Sequence, residues 1–272
     1  MKPSLLILTD FFPAANKALD YATCLAEPLK ARLVLLHVRR DSLLDPEMFT
    51  GASAHESPQA ATLALRSAAR QTTVPLEAEV GHGQVAPAAA EAVREHHPLL
   101  VVLGRPDYSD TPDELVQTAS LDLLRHAPYP MLVVPHGVAG ARPPRRVLLA
   151  VDGEPFSLGD HQAAAHHILT ALGAEVTVFH AVPTTGPNEL PPLVLDSVLR
   201  TGLTLGLSAV QCHSVVSAHP ATAILEAAQS GAYDLVVLMA RRRSFMGRLF
   251  HRSVTAQVLV ASPLPVLVLP AG

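Results

Sequence analysis

"LLILTD", residues Leu5–Asp10, returns 142 positions later as "VLLAVD", residues Val147–Asp152. Each is a short, continuous apolar run closed by an aspartate. A run of that length with no polar alternation fits a β-strand covered on both faces.

The runs on either side keep the same order. After "LLILTD" come "RLVLLHV", "PLEAEV", "LLVVLG" and "PMLVVP"; after "VLLAVD" come "EVTVFHAV", "VQCHSVV", "LVVLMA" and "PVLVLP". Helical spacing lies between them. Ala15, Ala18, Ala22, Leu25 and Leu29 recur every three or four residues, and Ala164, Ile168 and Leu172 do the same before Gly173, a suitable C-cap. Strands alternating with helices predict parallel βαβ units.

The register holds along both halves. His37 matches His180 at an offset of 143, Gly104 matches Ala240 at 136, and Pro130 matches Pro265 at 135. The first half therefore carries extra chain after its second strand, in "DSLLDPEMFTGASAHESPQ". A Gly/Pro-rich linker, "HGVAGARPPR", separates the halves. The expectation is a duplicated α/β domain, residues 1–138 and 144–272, each with a five-stranded parallel, Rossmann-like sheet. The two final runs, "MLVV" and "VLVL", are apolar edge strands. Pairing them antiparallel removes two exposed edges and predicts a pseudo-twofold dimer within one chain, open to further homodimerisation.

Composition narrows the function. The 272 residues are 49% hydrophobic with a formal net charge of −4, which argues against nucleic-acid binding through bulk charge. Two distant cysteines, Cys24 and Cys212, suggest reduced thiols. Asp10 ends the N-terminal apolar run too early for a signal peptide, and no run reaches membrane-spanning length. The expected setting is cytoplasmic, without membrane partners.

The chain resembles the tandem form of the universal stress protein family. The resemblance is carried by "LLAVDGEPFS", the "LLHV" and "VFHAV" strands, and the endings "QTASLDLLRHAPYPMLVVP" and "RSVTAQVLVASPLPVLVLP". It implies the five-stranded fold and a role in the stress response. It also implies a place for ATP or AMP: a Gly-x-x-Gly, nine residues, then Gly-Ser/Thr, with an Asp after the first strand beside the nucleoside. Glycines suit that place because phosphates approach the backbone N–H groups directly.

Both halves depart from the pattern. The first keeps Asp10, Gly104 and Thr118, but has Asp107 and Gln117 where glycines belong. Asp107, Asp110, Asp113 and Glu114 make its loop acidic, beside the single base Arg105. The second keeps Asp152 and Ser253, but has Ala240, Arg243 and Arg252 at the glycine positions, and its loop is one residue shorter. These five retained residues are vestigial nucleotide contacts on the family reading, or strand-end and helix-start caps on the plain one.

Arg241, Arg243, Arg248 and Arg252 are candidates for an anion, since guanidinium forks suit phosphate. The alternative is a solvated loop, or one paired with the acidic first-half loop. The histidines His96, His97, His161, His166 and His167 lack metal-ligand spacing, so no metal is expected. His37 and His180 end buried strands and are expected to satisfy local backbone groups. Neither a nucleophile elbow nor a Walker A sequence is present. The favoured reading is a non-enzymatic stress-response protein acting through unidentified protein partners, with no cofactor. The alternatives are a sensor of a nucleotide or other anion and, more remotely, an ATP hydrolase.

Overall fold

The computed structural model describes residues 2–39, 74–107, 119–126, 128–182, 191–241 and 253–272. In the first half these form β1 (Ser4–Thr9), α1 (Pro13–Ala26), β2 (Arg32–Arg39), β3 (Leu76–His82), α2 (Val85–His96), β4 (Leu100–Arg105), α3 (Ala119–His126) and β5 (Met131–Pro135). The second half gives β6 (Arg146–Val151), a 3₁₀ turn (Gly159–His161), α4 (Gln162–Ala171), β7 (Glu175–Val182), α5 (Pro191–Arg200), β8 (Val210–Val216), α6 (Pro220–Gln229), β9 (Leu235–Arg241), α7 (Val254–Ala261) and β10 (Val266–Ala271).

All ten strands join one sheet in the order β3-β2-β1-β4-β5-β10-β9-β6-β7-β8. The order reads the same from either edge, as a pseudo-twofold axis requires. Within each half every pairing is parallel. The halves meet where β5 and β10 run antiparallel, with Leu132 opposite Leu267. The duplicated α/β fold and its paired last strands are thus as the repeat predicts.

Alternation along the strands sends side chains to two helical layers. Leu5, Ile7, Leu33, Leu35, Leu132 and Leu267 face one layer, with Ala18, Tyr21 and Leu25 of α1 and Ile168 and Leu169 of α4. Leu6, Val34, Val101, Val133 and Val266 face the other, with Ala89 of α2, Leu123 of α3, Ile224 of α6 and Leu259 of α7. Each core cluster runs through the β5–β10 seam, so the halves share their interior. Ala15, Ala18, Ala22, Leu25 and Leu29 are all buried as expected. The face of α4 is turned by one residue: Ala165, not Ala164, joins Ile168 and Leu172 in the core. Gly173 follows that helix at φ 59°, the left-handed conformation a C-terminal stop uses. Among the described residues no helix is long and apolar enough to cross a membrane.

Candidate functional site

The carboxyl ends of β1 and β4, and of β6 and β9, are neighbours because the chain order reverses between them. That switch point is where open α/β sheets hold ligands. It brings Asp10 beside Gly104 and Arg105 in one half, and Asp152 beside Ala240 and Arg241 in the other.

The turn after the first strand is built alike in both. Asp10 Oδ1 accepts a hydrogen bond from the Phe12 amide at 3.0 Å, and Asp152 Oδ1 accepts one from the Glu154 amide at 3.1 Å. Each aspartate thus holds its own turn. The residue between donor and acceptor is left-handed in both cases, Phe11 at φ 64° and Gly153 at φ 82°. Glycine accepts this freely. Phenylalanine does not, and here its ring lies 4.7 Å from that of His37, whose Nδ1 donates to the Thr9 carbonyl at 3.0 Å.

Beyond the turn the halves diverge. In the first, α1 starts at once with Pro13, and its opening turn lies directly on Gly104. A methyl group on that glycine would stand 2.1 Å from the Ala14 carbonyl oxygen. Gly104 therefore has a packing role whatever else it touches. In the second half a loop occupies the corresponding residues, and Arg241 folds back into it. Its Nε and Nη2 donate to the two oxygens of Asp152, both at 2.7 Å. Nη2 also donates to the Glu154 carbonyl at 2.8 Å and Nη1 to that of Pro155 at 3.1 Å. The Asp152 carboxylate raises the Arg241 pKa further above its ordinary value. Only 12% of the arginine side chain is exposed. Two residues expected to contact a ligand instead contact each other.

Arg105, the counterpart of Arg241, goes elsewhere. It crosses the seam and donates to the carbonyls of Leu259 at 2.9 Å, Ser262 at 2.7 Å, and Val260. Ser253 is the N-cap of α7: its Oγ accepts the Ala256 amide at 3.1 Å. Thr118, Arg243, Arg248 and Arg252 lie outside the described residues.

His180 departs from expectation. Unlike that of His37, its buried Nδ1 has no hydrogen-bond partner among the described residues. His96 is drawn into a cluster that sequence spacing hides. It sits at the end of α2, against Arg32 of β2 and Glu77 and Glu79 of the edge strand β3. Arg32 donates to its Nδ1 at 3.1 Å and is ion-paired to Glu77; its Nε2 lies 2.5 Å from Glu79. The three acidic and imidazole groups are close enough to share a cation. The protonation pattern opposes one. A guanidinium only donates, so Nδ1 is the acceptor and the ring proton sits on Nε2, facing Glu79. A metal on Nε2 needs that proton on Nδ1, pointing at Arg32. The cluster fits a tether between an edge strand and a helix.

The model of the universal stress protein family matches residues 2–135 and again 144–270. Universal stress proteins of Mycobacterium bovis and Mycobacterium tuberculosis are each 30% identical over 235 residues, covering 80% of this chain and 73% of theirs. A universal stress protein from Archaeoglobus fulgidus superposes with a TM-score of 0.67 at 18% identity, over 98% of both chains. This chain belongs to the universal stress protein family, with two repeats of its domain in tandem.

Proposed function

We propose that this chain is a non-enzymatic member of the family, acting in the stress response through contacts with other proteins, and that it does not hold ATP in the family's usual manner. The observation that carries this is the closed Arg241–Asp152 pair. It takes the carboxylate that the family pattern assigns to a nucleoside and ties it to the strand end where the first glycine is lost. Asp10, Gly104, Asp152 and Ser253 are read as remnants of a nucleotide site. In the described structure the aspartates and Ser253 serve as caps, and Gly104 makes room for α1.

Calorimetric titration of Mg·ATP into the whole chain at moderate salt tests the reading. The expected result is no micromolar binding and no phosphate release above the protein-free rate. Micromolar binding lost on Ser253→Ala would overturn it.

A further inference from the structure

Arg105 and Arg241 each end the strand that leads into a half's ligand loop, and they are equivalent by repeat and by topology. Arg241 serves its own half. Arg105 serves the other. The carbonyls of Leu259, Val260 and Ser262 belong to the last turn of α7 and its C-cap. Helix-terminal carbonyls lack partners inside the helix and carry the negative end of its dipole, so a guanidinium fork is well matched to them. The position is enclosed: Ser262 is fully buried.

Helix α7 has eight residues, about 12 Å of rigid rod. Its N-cap is Ser253; its C-terminus is held by Arg105, at the end of β4 in the first half. One short helix thus joins the Ser253 cap of the second half to Arg105 of the first. The matching end of α3 is held differently. There the ring of His161, from the second half, bonds the Pro128 backbone and stacks edge-on with Tyr129 at 5.0 Å. Burial pushes the His161 pKa down, which favours an uncharged ring there. Arg241, the residue that symmetry would send to that place, is held by Asp152.

We propose that Arg105 is a positioning residue that couples the two halves: it fixes α7 from the end of β4 and, through the helix, sets the Ser253 N-cap of the second half. Among the described residues no reciprocal arginine contact runs from the second half to α3.

Residue-resolved hydrogen exchange on the whole chain tests this. Arg105→Gln is expected to speed exchange about tenfold or more along 256–262, including the Ala256 amide that Ser253 caps. Arg105→Lys, which keeps the charge and loses the fork, is expected to fall between. Arg241→Gln is expected to loosen residues 152–157 and leave α7 as protected as before. Faster exchange confined to 259–264 with the Ala256 amide unchanged would overturn the coupling, as would equal loosening of α7 by Arg241→Gln. Should Arg105→Gln not fold, Arg105→Lys against Arg241→Gln decides by the same two readouts.

Discussion

Gly104→Ala separates two readings of one glycine. If the residue only made room for a phosphate, alanine would leave the fold intact. If it makes room for α1, alanine must move backbone. The added methyl would lie 2.1 Å from the Ala14 oxygen, 2.2 Å from its carbonyl carbon and 2.7 Å from the Ala15 nitrogen. Ordinary contact needs roughly 3.5 Å, so strand and helix must part by about 1.4 Å. Rotating a side chain cannot relieve this, because all three atoms are main chain. The same helix buries Ala18, Tyr21, Ala22 and Leu25 in the shared core, so its retreat opens voids there. Overpacking typically costs about 1–3 kcal/mol, and we expect the upper end, with a drop in midpoint of roughly 6–12 °C. The control is Ala240→Gly at the matching position. Ala240 is fully buried, so the change removes one packed methyl and costs about 1 kcal/mol. Urea unfolding followed by circular dichroism compares the two. A loss below about 0.5 kcal/mol for Gly104→Ala, or a larger loss for Ala240→Gly, would refute the helix–strand contact.

Asp234 accepts bonds from the Arg146 side chain and from the amides of Arg145 and Arg146, and Arg146 holds its carboxyl below the usual carboxylate range. A folded pKa lowered in this way adds stability that is present above the unfolded value near 3.9 and lost as pH falls through the folded one. Urea midpoints between about pH 6 and 3 should therefore fall less steeply for Asp234→Asn than for the parent chain; equal slopes would count against it. Burial pushes the Cys24 thiol up to about 11. At pH 7.5 its thiolate fraction is then below roughly 0.1%, so a thiol reagent should modify Cys24 slowly in the folded chain and rapidly in urea. His96→Gln breaks the Arg32–His96–Glu79 tether of β3 to α2 and is expected to cost about 1–2 kcal/mol in the same unfolding assay, with an unchanged stability marking the tether as idle.

The fold was legible because its strands are short, wholly buried and repeated in order; a run such as "LVVLMA" has no other economical place than a sheet covered on both faces. The seam was legible as well, since two apolar edges in one chain have an obvious mutual solution. The phase of α4 was less so. Ala164 and Ala165 both fit a three-four spacing with Ile168 and Leu172, and alanine is too small to mark a face. The local caps at Asp10, Asp152 and Ser253 were within reach, because they span two or three residues. The contacts that decide the site span far more. Arg241 lies 89 residues from Asp152, Arg105 up to 157 from the carbonyls it caps, and Arg32 64 from His96. Periodicity carries no information at that range. Strand order does, but only for which residues lie near one another. It does not say where a long side chain turns.

Where each arginine turns follows from where the helix after the first strand begins. At the repeat offset of 142, Glu154 and Pro155 correspond to Phe12 and Pro13. In the second half these two residues lie in an open loop bounded by Gly153 and Gly159, both left-handed, and α4 starts only at Gln162. Their carbonyls are available, and Arg241 takes both together with Asp152. In the first half α1 starts at Pro13, and the Phe12 carbonyl already accepts the Asn16 amide at 3.1 Å. The carbonyl equivalent to that of Glu154 is thus already filled in the first half, and Arg105 donates across the seam to the carbonyls ending α7. Gly104 permits the early helix, and Ala240 goes with the late one. Double-mutant cycles on stability should register the difference. The Asp152/Arg241 pair, bidentate and largely covered on the arginine side, is expected to couple by about 1–2 kcal/mol. The Asp10/Arg105 pair, equivalent by sequence but without a direct bond, is expected to couple by less than about 0.3 kcal/mol. Comparable coupling in both cycles would mean that Arg105 turns toward Asp10 as Arg241 does toward Asp152, and the asymmetry argued from the helix starts would fail.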